Sequence, residues 1–224
     1  IPDCSIHTKL LPTMTVNSRL PKCNQQAIYT RFSGICLKRG DCVTTMDIDD
    51  IINQHAVYTL FGDIDNSGSE DFIRFVIAHN LIKKQTHAIN LLLSTPGGNL
   101  TSTFAIIDIM QTSRIPIHTW ALGEISSGGL MIFMAGHLGD RNVAANCHIM
   151  SHQFTGSYEG KAHELASAQQ DFDLTSQRVL HHYVQCTNLN QEEIMRELLP
   201  PHDVYLTPQQ AVSMGIADRI KCYE

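Results

Sequence analysis

The stretch GEISSGGLMIFMAGH, Gly123–His137, decides how this chain is read. Two hydroxyls, Ser126 and Ser127, stand directly before a glycine pair, and the apolar run Leu130–Ala135 follows. A helix apolar all round is a buried one. The preceding IPIHTWALG, Ile115–Gly123, reads as a strand, so a buried strand hands over to a buried helix at Ser127. The first N–H groups of a helix lack intrahelical partners and carry the positive end of its dipole. Such a junction can hold an oxyanion, or expose a serine oxygen as nucleophile elbows do. Gly128 and Gly129 let a substrate backbone approach with no Cβ in the way. The plainer alternative is that one serine caps the helix and the glycines ease packing. The strict G-x-S-x-G spacing is absent, because Ile125 lies two before Ser127.

Working outward, strands alternate with helices. AVYTLFG from Ala56 is a short β-rich run closed by Gly62, and NSGSEDFIRFVIAHNLIKK is a helix with Phe72, Phe75, Val76 and His79 at helical spacing. AINLLLS is apolar enough to be a strand buried on both faces, and it stops at TPGGN. LTSTFAIIDIMQTSR is a helix with Phe104, Ile107 and Met110 in register, and NVAANCHIMSHQ reads as one strand. A long helix covers about 161–186, with Leu165, Phe172, Val179 and Tyr183 along one stripe. NQEEIMRELL is a short helix, and DVYLTPQQAVSMGIADRI is a strand, a Thr-capped helix and a last strand. This alternation predicts an α/β fold with largely parallel pairing over 56–224. Residues 1–55 are weakly periodic and read as an N-terminal extension or arm, too short for its own core.

Composition narrows the classes. The chain has 224 residues, 43% hydrophobic and 17% charged, with net charge −6, an ordinary globular balance. No basic stripe points to nucleic acid, and no apolar run approaches the ~20 residues that span a bilayer. Residues 1–21 carry no signal-peptide core, so the expected location is the cytoplasm. The seven cysteines are scattered, without C-x-x-C pairs, which argues against a disulfide scaffold and a zinc site. No metal or other cofactor is expected.

The remaining candidates surround the serines. Pro96-Gly97-Gly98 after a buried strand makes a sharp turn with an open backbone. Its N–H groups and that of Gly128 would face one carbonyl, and losing one donor of such a pair typically costs about 3–4 kcal/mol of barrier. A bare turn is the alternative. A serine nucleophile needs a base, and His152 lies at the end of an apolar strand. Asp203 begins the next strand and would orient the imidazole, as in any triad. Spacing alone leaves open whether the three meet.

STPGGN, MQTSRIPIHTWALGEISSGGLMIFMAG, RNVAANCHIMSHQ and DVYLTPQQAVSMGIADRI together resemble the ClpP family, the proteolytic subunits of the ATP-dependent Clp protease. The likeness runs from about Val57 to Ile220. It implies a ClpP/crotonase-like spiral of β-β-α units with a protruding helical handle at about 161–186. Ser127 falls on the family's nucleophile, His152 on its general base and Asp203 on its third member. Gly98 and Gly128 fall on the oxyanion hole. Gly97, Phe154, Thr155 and Gly156 fall beside the bound peptide. The resemblance further implies heptameric rings, of this chain or related subunits, stacked as a tetradecamer. An ATPase unfoldase would feed polypeptides to the chamber, with ATP used by that partner, since no phosphate loop is present here. The likeness alone implies the plastid stroma as an alternative location.

The departures carry expectations too. Phe154 replaces the family's usual proline, Gly128 replaces its usual methionine and should loosen the site, and Asn90 and Leu92 replace aromatics at the unfoldase docking face. The leading expectation is a serine endopeptidase. The alternatives are a non-catalytic ring subunit, a crotonase-type acyl-CoA enzyme, and a Ser–Lys peptidase using Lys161.

Overall fold

A computed structural model describes residues 36–39, 42–45, 48–82 and 86–221. Contacts divide the chain between Thr45 and Met46. On the first side, β1 (Cys36–Arg39) and β2 (Cys42–Thr45) pair antiparallel, with Arg39 opposite Cys42. Most of the expected arm, residues 1–35 with Cys4 and Cys23, lies outside the described residues. Its last part, α1 (Ile48–Gln54), belongs to the second unit.

In the second unit, strands and helices follow the expected alternation. They are β3 (Val57–Phe61), α2 (Asn66–Leu81), β4 (Ile89–Thr95), α3 (Leu100–Thr112), β5 (Ile117–Ser126) and α4 (Gly128–Met134), then β6 (Arg141–Ala144) and β7 (His148–Ser151). After these come α5 (Ala162–Cys186), α6 (Gln191–Glu197), β8 (Val204–Leu206), α7 (Pro208–Ser213) and β9 (Arg219–Lys221). Helix starts are written in the sequence. Asp65 and Asn99 accept from Gly68 N (2.7 Å) and Ser102 N (2.9 Å). Thr207 and Gln210 cap α7 reciprocally, with Pro208 in its first turn.

The sheet runs β3-β4-β5-β6-β9, all parallel, and β7 joins β5 on one side and antiparallel β8 on the other. Strand β5 is long enough to serve two partners. Thr119–Ala121 pair with Arg141–Val143 of β6, and Glu124–Ser126 pair with His148–Met150 of β7. Its register against β4 shifts between Leu93 and Thr95, with Gly123 at φ 61° in the extra length. The single strand expected over NVAANCHIMSHQ is therefore two, separated at Ala145–Cys147, each bonded to a different half of β5.

Helix α4 is buried along its whole length, packed with Leu91, Leu93, Ile106, Ile125 and Ile149 in one core. Strand β4 is not buried on both faces: its residues alternate between buried and half-buried, because the chain itself covers one side of the sheet more fully. Helix α5 has 25 residues, about 37 Å of length. Its expected apolar stripe closes only in the C-terminal half, where Thr175, Val179, His182 and Tyr183 are buried. Leu165 is 44% exposed and Leu174 52%, so most of the first half of the helix stays in solvent, with Phe172 resting on Phe154.

One buried ion pair ties the last strands together. Arg141, 3% exposed, grips Asp218 with Nε and Nη2, and its Nη1 donates to Cys186 O at 2.7 Å. Asp218 also accepts from the N–H groups of Gly139 and Arg141. Burial alone would raise the Asp218 carboxyl, but Arg141 and the two amides outweigh it and hold the carboxyl below the usual range.

Candidate active site

Ser127 occupies the junction between β5 and α4 with φ 55° and ψ −121°. This is sparsely populated backbone for a residue with a Cβ, costing on the order of 1–3 kcal/mol. The side chain makes no capping bond to the helix it opens. The strained strand-to-helix turn thus presents Oγ outward, although Ile125 stands where an elbow's first glycine would be. Ser126 is 1% exposed and donates to Glu124 Oε1 at 2.8 Å, so the paired hydroxyls face different surroundings.

Strand β7 brings the histidine. Ser126 lies opposite Met150 in the ladder, and Ser127 N–H donates to Met150 O at 3.0 Å. Two residues on, His152 Nε2 lies 2.7 Å from Ser127 Oγ. The third residue is less close: His152 Nδ1 stands 3.8 Å from Asp203 Oδ1, ion-pair range but longer than a hydrogen bond. The Asp203 side chain is 53% exposed, whereas that of His152 is 23% exposed.

The PGG turn packs against the same junction. Ile64 N–H donates to Gly97 O and Asn99 N–H donates to Ile64 O, which holds the turn to the loop after β3. A Cβ on Gly97 would lie 2.8 Å from Ser127 Cβ and 3.0 Å from Gly128 N, so only glycine permits this approach. Neither Gly98 N–H nor Gly128 N–H has a protein partner among the described residues. The site therefore joins a serine–histidine pair to two amides free to donate.

Gly128 does not loosen the site. A Cβ there would lie 2.5 Å from Thr103 Oγ1, and Thr103 is fully buried, so α3 fills the space that a side chain would have taken. Beyond His152 the chain runs without regular structure through Phe154, half-buried, and Thr155 and Gly156, both exposed. The Phe154 ring packs on Phe172 of α5, centroids 4.6 Å apart. A cavity of about 300 Å³ is lined by Gln153, Phe154, Phe172, Val179, Leu180 and Leu199 among others. Lys161 is exposed at the start of α5, and the partner bonded to Ser127 Oγ is His152. Burial pushes the thiols of Cys147 and Cys186 up to about 11, which keeps both protonated at neutral pH.

The model of the Clp protease family matches residues 39–223. The chain belongs to the Clp protease family. The match covers the hairpin strand β2, the second unit as far as residue 223 and every residue of the site. The mostly parallel sheet and the seven helices among the described residues are the α/β fold of that family. Clp proteases are peptidases that generally assemble as oligomeric rings. No helix among the described residues is long and apolar enough to cross a membrane.

Sequence reading missed two features around this site. The contact between Thr103 and Gly128 joins α3 to α4 with no signature in either segment. The hydroxyl pair Ser151–Tyr183 spans 32 positions and looks apolar-compatible on both strand and helix.

Proposed function

We propose that this chain is a serine endopeptidase subunit of a self-compartmentalised Clp-type ring protease. The observation that carries the reading is the 2.7 Å contact between Ser127 Oγ and His152 Nε2, made on a strained turn beside two unpartnered amides. Ser127 Oγ attacks the peptide carbonyl carbon while Nε2 takes its proton. The carbonyl oxygen becomes an oxyanion, received by Gly98 N–H and Gly128 N–H. The imidazolium returns the proton to the leaving amine, and an acyl-serine remains. Water then attacks the acyl carbon, His152 takes its proton, and Ser127 leaves protonated. Asp203, its carboxylate 3.8 Å from Nδ1, favours the proton of neutral His152 on that nitrogen by its charge, so that Nε2 is free to accept. The cavity beside Phe154 and Phe172 takes an apolar side chain of the peptide, and Gly97, Thr155 and Gly156 flank its backbone.

Assembly follows the family. Rings of seven stack through the exposed half of α5, an ATPase unfoldase delivers polypeptide, and ATP is spent by that partner. The chain acts in the cytoplasm, or in the plastid stroma as the second possibility. An acyl-CoA reading gains nothing from a serine–histidine contact.

One observation favours a second reading, a non-catalytic ring subunit: the 3.8 Å gap between His152 and Asp203. A single experiment separates them. A fluorophosphonate probe, with adducts located by mass spectrometry, should modify Ser127 in the native chain and nothing in Ser127→Ala. A folded, assembled chain that takes no label at Ser127 would establish the silent subunit.

A further inference from the structure

Two adjacent residues near the C-terminal end of α5 bond to the two elements that carry the reactive pair. Residues i and i+1 of a helix face different directions, so His182 and Tyr183 grip different elements. His182 Nε2–H donates to Met131 O at 2.8 Å, within α4, the helix that Ser127 opens. Met131 O cannot donate, which fixes the proton on Nε2. Tyr183 O–H donates to Ser151 Oγ at 3.0 Å, and Ser151 O–H donates to Leu198 O at 2.7 Å. The order of donors follows because Ser151 has one proton and Leu198 O accepts only. Ser151 directly precedes His152. Gln153, directly after it, donates from Nε2 to Leu199 O at 2.7 Å.

We propose that Tyr183 and His182 are positioning residues that set the spacing of Ser127 and His152, holding the base strand and the nucleophile helix to one point on α5. This rests on the peptidase reading. Ser151, Tyr183 and His182 are 0%, 1% and 4% exposed, so any displacement would leave a polar group unpaired away from water. The three bonds therefore have one satisfied arrangement, and a chain of hydroxyls strengthens each link. Leu198 and Leu199 lead within a few residues to Asp203, so the same anchor bounds the third residue as well.

Full-length chain in its native assembly tests this with three readouts: the rate of fluorophosphonate labelling at Ser127, kcat and KM on a short fluorogenic peptide, and the thermal midpoint. Ser151→Ala should slow labelling and lower kcat by up to about 100-fold, the scale of a misplacement near 1 Å, with KM unchanged. Tyr183→Phe, the mildest change, should give a smaller loss in the same direction. The pair Ser151→Ala/Tyr183→Phe leaves no hydroxyl unpaired and should regain thermal midpoint relative to Ser151→Ala, yet not regain rate. His182→Leu should slow labelling, and His182→Gln, which keeps an N–H donor of similar reach, should restore much of it. Labelling that follows the thermal midpoint across the set, or that equals the wild-type rate in every variant, overturns the positioning role and leaves the peptidase reading intact. Absence of label on the wild-type chain overturns both.

Discussion

Gly128→Ala places a methyl group 2.5 Å from Thr103 Oγ1 and 3.4 Å from Thr103 Cγ2. Gly128 is not among the positive-φ glycines, so its backbone suits alanine, and the clash is the whole difficulty. Thr103 Oγ1 also donates to Asn99 O at 3.0 Å, and turning it away sacrifices that bond. Overpacking a filled core costs about 1–3 kcal/mol, while alanine in place of glycine in a helix returns roughly 0.5–1 kcal/mol. The net expectation is a loss of about 1–2 kcal/mol, a fall in thermal midpoint of about 2–8 °C for a chain of this size. Slower fluorophosphonate labelling should accompany it, because the displaced group is the Gly128 amide. Thr103→Ala removes both obstructing atoms. On that background Gly128→Ala should be neutral or stabilising by about 0.5 kcal/mol, so the cycle should show a coupling of about 1–3 kcal/mol. Differential scanning of the four proteins measures it. Additive effects within about 0.5 kcal/mol would refute the claim that Thr103 occupies the space beside Gly128.

Ser126→Ala should keep fluorophosphonate labelling while losing about 1 kcal/mol for the Glu124 bond; loss of label with the fold intact would mean that the wrong serine carries the chemistry. Asp203→Asn should cut peptide hydrolysis by up to about 10⁴-fold by favouring the wrong tautomer, and near-normal turnover would show that His152 works without it. Asp218 is held below its usual range when folded, so its contribution is present above about pH 4, where the unfolded carboxyl ionises, and is lost as pH falls through the lower folded value. Asp218→Asn should therefore lose about 3 kcal/mol at pH 7 by leaving Arg141 unpaired, with the gap to wild type closing in acid melts; a gap independent of pH would contradict the pairing.

The alternation of strands and helices was legible because the elements carry local periods and several helices carry their own caps, as at Asn99 and Thr207. The serine–histidine pair was legible through residue types at strand ends. The ladder that brings them together was not, since NVAANCHIMSHQ carries no mark at which it breaks into two strands. The 3.8 Å separation at Asp203 depends on the path through Leu199 and two prolines, which no period encodes. Tyr183 and Ser151 each satisfy the apolar pattern of their element well enough to hide a polar bond between them. The expectation of a loosened site at Gly128 failed for the same reason: a missing side chain on α4 is visible in sequence, but the neighbour that replaces it on α3 is not.

Strand β5 lends its last residues to β7, so the distance from hydroxyl to imidazole is measured along main-chain bonds rather than across a loop. Exposed Ala145–Asn146 can then lengthen over generations with little effect on the Ser127–His152 spacing, whereas slipping β7 by one step past Ser126 would turn His152 to the opposite side of the sheet. Tolerance to insertion and intolerance to slippage should thus sit only a few residues apart.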